Sequence, residues 1–233
     1  MAVFWGAAAI IWHAWLLWSG LAVTTGLALS LGNTASFIGL QLAVIAALGA
    51  GEATLRGLSG GLLVLAGVCG SFTGIGSSAS TLSELGWQIQ AHVLISLFAY
   101  GLLTVGAIVS VYALVQDRRL RTARLSPVNQ LFAPLETTEK LLFGVTSSGF
   151  LILLLAVFSG LAFVENLFAQ HLVHKTVLSL LALLLFGVLL AGRQFAGWRG
   201  RRAVYLYLWG FVVLWLAYFG SRYILEALGR SWG

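Results

Sequence analysis

Four histidines, His13, His92, His171 and His174, carry the recognisable chemistry of this sequence. Imidazole is the commonest protein metal ligand, and each of these opens or interrupts a long apolar run. His13 lies midway along AAAIIWHAWLLW, where a polar side chain inside a span is costly and usually has a partner. His92 opens QAHVLISLFAY, with Ser96 and Tyr100 following at four-residue spacing on the same side of a helix. His171 and His174 stand three apart at the head of another run, beside Lys175. A haem iron takes axial ligands from opposite faces of its plane, so two histidines on one helix face are poorly placed to be that pair. A cross-helix pair, His92 with His174 or His171, is geometrically reasonable. Structural zinc is disfavoured because it takes four ligands and Cys69 is the single thiol, remote in sequence from all of them. An ion-coupled carrier needs acids within its spans, and Glu52, Glu84 and Glu165 all fall near span ends. Against the ligand reading stands a plainer one: histidine and tryptophan at a membrane interface are commonly belt residues. Trp5, Trp12, Trp15 and Trp18 recur at helical spacing and read as packing or anchoring, as does Trp198.

The elements that position these side chains are apolar runs of about twenty residues, the length that crosses a bilayer. Of the 233 residues, 60% are hydrophobic and 9% charged, against about 25% charged in a soluble domain. The expected fold is all-α, a polytopic integral membrane bundle of about seven transmembrane helices in a single domain over 1–233. The spans read as roughly 2–21, 35–51, 57–73, 90–115, 141–164, 172–192 and 203–225. The second and third are short and rich in Gly, Ser and Ala. Gly57/Gly61 and Ala66/Gly70 have the spacing that lets helix backbones approach, so these two spans are expected inside the bundle, away from lipid. Both prolines fall in one loop, so no span should carry a proline kink. The first run lacks a basic leader and continues as a span, which argues against a cleavable signal peptide.

Orientation follows from arginine. Residues 116–124 carry four arginines against one aspartate, and 193–202 carry four more, while loops 22–34, 73–89 and 165–171 carry neither Lys nor Arg. The positive-inside rule puts the first group in the cytoplasm and the second outside, with the N-terminus cytoplasmic and the C-terminus external. His92, His171 and His174 then meet at the external face. The same clustering explains the net charge of +6 through topology and anionic lipid, and no nucleic-acid partner is expected. In the loop 116–140, Leu125, Val128, Leu131, Phe132 and Leu135 recur at helical spacing, as in a segment lying flat on the membrane. Beyond Pro134, Glu136 and Glu139 favour the start of a helix.

The motifs also resemble a family. HVLISLFAYGLL is similar to the His-x-x-x-Ser-x-x-x-Tyr helix of the cytochrome c assembly proteins, the haem-handling group with CcsA-, ResC- and HemX-type members. PLETTEKLLF, SGLAFVENLFAQHLVHKTVLSLLALLLFGVLLAGR, GWRGRRAVYLYLWGF and AYFGSR look nearest to its YpjD-like branch. The resemblance covers 84–225 and extends more weakly over 1–83, where His13 resembles an intramembrane histidine of the family's second helix. Relatives usually have one more helix ahead, so either the start is trimmed or this branch has lost a span. The full haem–cytochrome synthases carry a WWD motif on an external loop, and residues 73–89 (TGIGSSASTLSELGWQI) have none. The resemblance therefore implies a haem-associated protein of the bacterial inner membrane, and the missing motif weakens the case for thioether-forming synthase activity. Its haem-ligand histidines carry over as His13 and His92, with His171 and His174 as further candidates.

The resulting expectation is haem binding or relay in cytochrome c biogenesis, with haem as cofactor and no catalytic residues. His92 with His174 or His171 would hold the iron, and His13 would form a deeper site. The partners would be the lipid bilayer and other membrane or cytochrome-assembly subunits. The alternative is a non-catalytic accessory or scaffolding subunit that docks through its glycines and the 116–140 loop. A small permease is disfavoured by the absence of intramembrane acids and broken helices.

Overall fold

A chain inside lipid must satisfy every backbone N–H and C=O internally, and a helix does so within one segment. The computed structural model describes residues 2–23, 26–27, 30–52, 55–75, 86–121, 134–163 and 173–220. Seven α-helices follow in order: α1 (Ala2–Leu21), α2 (Leu31–Ala50), α3 (Arg56–Gly70), α4 (Trp87–Arg121), α5 (Leu135–Phe163), α6 (Val173–Ala196) and α7 (Gly200–Trp215). A π-helical turn, Leu216–Gly220, continues α7. The β structure among the described residues is one antiparallel pairing, Ala22–Val23 with Gly26–Leu27. Among the described residues, five helical segments are long and apolar enough to cross a membrane: Gly32–Ala50, Trp87–Arg121, Leu135–Phe163, Val173–Ala196 and Gly200–Gly220. The fold is thus an all-helical polytopic membrane protein.

Two helices run past their apolar sequence. At its end α4 takes in QDRRLR, and α5 begins with LETTEK. Exposed ion pairs at i,i+4, Arg121 with Asp117 at 3.1 Å and Lys140 with Glu136 at 2.9 Å, lie on these polar turns. Each is worth only about 0.3–0.5 kcal/mol. The polar turns are helical chiefly because nothing in them breaks a helix.

Contacts divide the chain into two compact units, residues 1–84 with 111–141, and residues 85–110 with 142–233. In the first, α1 packs on α2 and α2 on α3. Ser30 caps α2, its Oγ accepting from the Asn33 N–H at 3.0 Å. Gly39 of α2 faces α3 so closely that a Cβ there would lie 2.7 Å from Cys69 Cβ and 3.0 Å from the Ala66 carbonyl. The turn after α3 docks on the start of α2: Asn33 Oδ1 accepts from the Gly74 N–H at 3.0 Å, and Gly32 N–H donates to the Ile75 carbonyl at 3.2 Å. Gly74 has φ +78, which a side chain would strain. Thr138 of α5 donates to Gln116 of α4 at 3.2 Å in a buried contact.

In the second unit, two tyrosines join α4 to α7. Tyr207 fills a notch over Gly106 and donates to the Leu103 carbonyl at 2.8 Å, while Tyr100 donates to the Leu214 carbonyl at 2.8 Å. Phe186 of α6 meets the Tyr207 ring edge-on, 5.1 Å between centroids. Apart from Val204, the buried positions of α7 and its extension, Ala203, Tyr207, Gly210, Leu214 and Ala217, alternate four and three residues apart, the spacing of a packed helix seam. Trp198, in the corner between α6 and α7, seats its ring on Gly192 and lies 5.6 Å from the Arg202 guanidinium.

Of the two short spans expected to sit away from lipid, α2 is largely buried, whereas the structure corrects the expectation for α3. Leu63, Val64, Leu65 and Val68 of α3 and Leu48 of α2 are exposed, and α3 buries one narrow face, Leu58, Ser59, Leu62 and Ala66. Of the small-residue pairs, Ala66/Gly70 meets Gly39, whereas nothing stands within 4 Å of a Cβ built on Gly61. The spacing found a real contact, but only the pair opposite a second small residue used it.

Candidate functional site

His92 lies one turn into α4, half-buried, with its ring turned to α5. Its Nδ1 is 2.9 Å from Ser159 Oγ, and Ser159 Oγ is 2.8 Å from the Ala156 carbonyl. A carbonyl only accepts, so the single hydroxyl proton of Ser159 goes to Ala156. Without it two oxygen lone pairs would face each other at that distance. The Nδ1–H of His92 must then donate to Ser159. Neutral His92 is therefore the Nδ1–H tautomer at the Ser159 contact, with the Ala156 carbonyl also within hydrogen-bond reach of the ring and Nε2 taking no part in the bond to Ser159. Gly160 makes the approach possible, because a Cβ there would fall 2.9 Å from His92 Cε1. Farther along α4, Ser96 donates to the His92 carbonyl at 2.7 Å and is spent on its own helix.

His13, midway along α1, is also half-buried and also has a hydroxyl and a glycine as neighbours. Its Nε2 is 2.9 Å from Ser36 Oγ of α2. Ser36 is 2.7 Å from Thr73 Oγ1, and Thr73 is 2.6 Å from the Gly70 carbonyl. Gly70 lies against the ring, a Cβ there being 3.0 Å from Cε1 and 3.1 Å from Nε2.

His174 is exposed in the first turn of α6. None of the described hydrogen bonds joins it to His92. His171 lies outside the described residues, as do most of loop 165–171, the surface segment of 116–140 and residues 76–85. Trp12, Trp15 and Trp18 are exposed along α1, with Trp12 and Trp15 5.2 Å apart, in keeping with a lipid-facing or interfacial row. Among the described residues, no three of His, Cys, Asp and Glu gather as a metal cluster.

Sequence reasoning singled out the histidines and missed the residues that orient them: Ser159, Gly160, Ser36, Thr73 and Gly70. These partners lie 67 and 23 residues away for the two serines, so no local spacing announces them. A weak signal was a hydroxyl beside a glycine, Ser159–Gly160, a pattern that Ser148–Gly149 repeats in the same helix.

Comparison with known proteins adds to this geometry. The model of the family described as Cytochrome C assembly protein matches residues 3–228. The Inner membrane protein YpjD of Escherichia coli (strain K12) is 37% identical over 137 residues, 59% of this chain and 52% of that one. A protein of Azospirillum brasilense described as an uncharacterized 28.8 kDa protein is 30% identical over 145 residues, covering 61% and 54%. The Cytochrome c biogenesis protein CcsA of Guillardia theta is 24% identical over 162 residues, covering 62% and 54%. The chain spans about half the length of these curated relatives. No solved structure matches.

Proposed function

We propose that this chain, which belongs to the cytochrome c assembly protein family, binds haem in the bacterial inner membrane and holds or relays it during cytochrome c biogenesis. One observation carries the reading. His92 is held as an Nδ1–H donor by a serine whose own proton is committed to Ala156, and this leaves Nε2 presented. Metal-ligating histidines typically donate their second ring N–H in this way, which fixes the tautomer and raises ligand basicity. The residues present therefore fit a haem iron at His92. A further imidazole for the iron would come from His174, in the first turn of α6, or from His171 ahead of that helix in the sequence. His13 is the candidate for a separate, deeper station.

Haem is cargo in this reading; the chain's own work is to bind, orient and shield it. The membrane setting accords with the helices and with the name of the Escherichia coli relative. Other assembly subunits are the proposed partners, in line with the name of the Guillardia theta relative.

The test is spectroscopic. Purified protein expressed with ample haem should show a Soret band and a low-spin spectrum. Both should be lost in His92→Ala and in the double variant His171→Ala/His174→Ala, with single changes in α6 milder. A protein without a Soret band, or a band indifferent to His92, refutes the reading and leaves the accessory-subunit alternative.

A further inference from the structure

The two half-buried histidine–hydroxyl contacts have opposite chemical polarity. At His92 the proton count gives Nδ1–H and leaves Nε2 out of the bond to Ser159, as above. At His13 three contacts must be satisfied by two hydroxyl protons and one imidazole proton. The Gly70 carbonyl only accepts, so at 2.6 Å it takes the Thr73 proton. Thr73 then has only lone pairs for Ser36, so at 2.7 Å the Ser36 proton points to Thr73. Ser36 in turn has only lone pairs for His13, so at 2.9 Å the imidazole donates from Nε2. The reverse direction leaves Thr73 and Gly70 as two unprotonated oxygens in contact. The chain therefore runs one way, His13 to Ser36 to Thr73 to Gly70, and neutral His13 is the Nε2–H tautomer.

This matters for what each ring offers. The remaining lone pair of His13 is on Nδ1, the nitrogen next to the carbon that bears Cβ. A macrocycle centred there would meet the histidine's own backbone, whereas Nε2 stands at the far end of the ring. To use Nε2, His13 must break its bond to Ser36, a residue with no exposed surface. His92 keeps its bond to Ser159.

We propose that Ser36 and Ser159 are positioning residues acting in opposite senses: Ser159 prepares His92 to take an iron through Nε2, and Ser36, aligned by Thr73, holds the Nε2 of His13 back. His92 is then the retaining station and His13 the releasing one. The ligand half of this statement rests on the haem reading; the tautomer half does not.

The tautomers are read first, in haem-free full-length protein labelled with ¹⁵N-histidine, from two-bond N–H correlations. Each ring is assigned by its loss in His13→Gln or His92→Gln. The expected result is Nε2–H for His13 and Nδ1–H for His92. The same tautomer at both, or the reverse, overturns the proposal. Thr73→Val removes the acceptor of the Ser36 proton, which then turns to His13, so His13 should switch to Nδ1–H. An unswitched His13 overturns the role given to Thr73 and Ser36.

Haem titration supplies the second arm. Ser159→Ala should lower affinity at His92 about tenfold, the usual effect of losing such a partner. Ser36→Ala, measured in the His92→Ala background, should raise His13-dependent binding about fivefold, the equivalent of one net hydrogen bond. Thermal unfolding of each variant separates a lost fold from a lost ligand. Changes of the same sign in the two serine variants overturn the opposition while the haem reading stands. If no variant and no wild-type protein shows a Soret band, the haem reading falls and takes the ligand half with it. The tautomers still decide the assignment of the serines.

Discussion

Gly160→Ala is the sharpest single change because its two effects pull in opposite directions. Alanine in a helix interior is favoured over glycine by roughly 0.5–1 kcal/mol. Against this, the new Cβ would stand 2.9 Å from His92 Cε1, about half an ångström inside the 3.4 Å at which ordinary contact begins. The imidazole is the part that can yield. A shift of that size takes the Nδ1 to Ser159 distance from 2.9 Å to about 3.4 Å and spoils its alignment, at the edge of what counts as a hydrogen bond. Losing that bond costs about 0.5–1.5 kcal/mol. The two terms nearly cancel in stability, so the thermal midpoint should barely move. Haem affinity has no such compensation and should fall about tenfold or more. Gly144→Ala is the control on the same helix, since nothing lies within 4 Å of its Cβ. It should gain the propensity term and leave haem untouched. Titration followed at the Soret band measures both. If Gly160→Ala takes haem as the wild type does, the glycine does not seat the ring and the geometric argument for His92 fails.

Three further outcomes are expected. Single cysteines at Ser126 and Asn166, treated with an impermeant thiol reagent in Cys69→Ser protein, should label from opposite sides of the membrane; labelling from one side overturns the orientation drawn from the arginines. Gly39→Ala should destabilise the α2–α3 contact by about 1–3 kcal/mol through overpacking, while Gly61→Ala should not, as read by unfolding in detergent mixtures. Tyr207→Phe should cost only about 0.6 kcal/mol, the average for hydrogen bonds between helices in membranes, and Gly106→Ala considerably more; a double variant whose cost is the plain sum would show that the notch and the ring are not coupled.

The helices were legible because a run of apolar residues long enough to cross lipid has few other ways to satisfy its backbone. What composition could not set was where helix gives way to loop. The polar ends of α4 and α5 lie outside any hydropathy window yet contain no residue that stops a helix. Nor could it set which side of a short helix finds a neighbour, and α3 therefore came out half-exposed instead of enclosed. The histidines were legible as misfits in apolar sequence. Their proton arrangement was not, because it depends on hydroxyls contributed by other helices and on the carbonyls that claim those hydroxyl protons. Sequence gives a residue's chemistry; only the fold says which of its two nitrogens is spoken for.

The π-helical turn at Leu216–Gly220 has a consequence for the phase of α7. Through Ala217 the seam keeps its four-and-three rhythm. A π turn carries one residue more than the α turn it replaces, and one residue is worth about 100° of rotation around a helix axis. Within the turn, side chains drift by up to that amount from the direction the rhythm would have given them. Tyr218, Phe219 and Gly220 are all half-buried, without the clear alternation of buried and exposed positions seen before. Deleting one residue from this turn would restore an unbroken α-helix and bring its remaining side chains back toward the seam of α7. The extra residue thus acts as a vernier, setting the angle at which Tyr218 and Phe219 are presented independently of how the middle of α7 is packed.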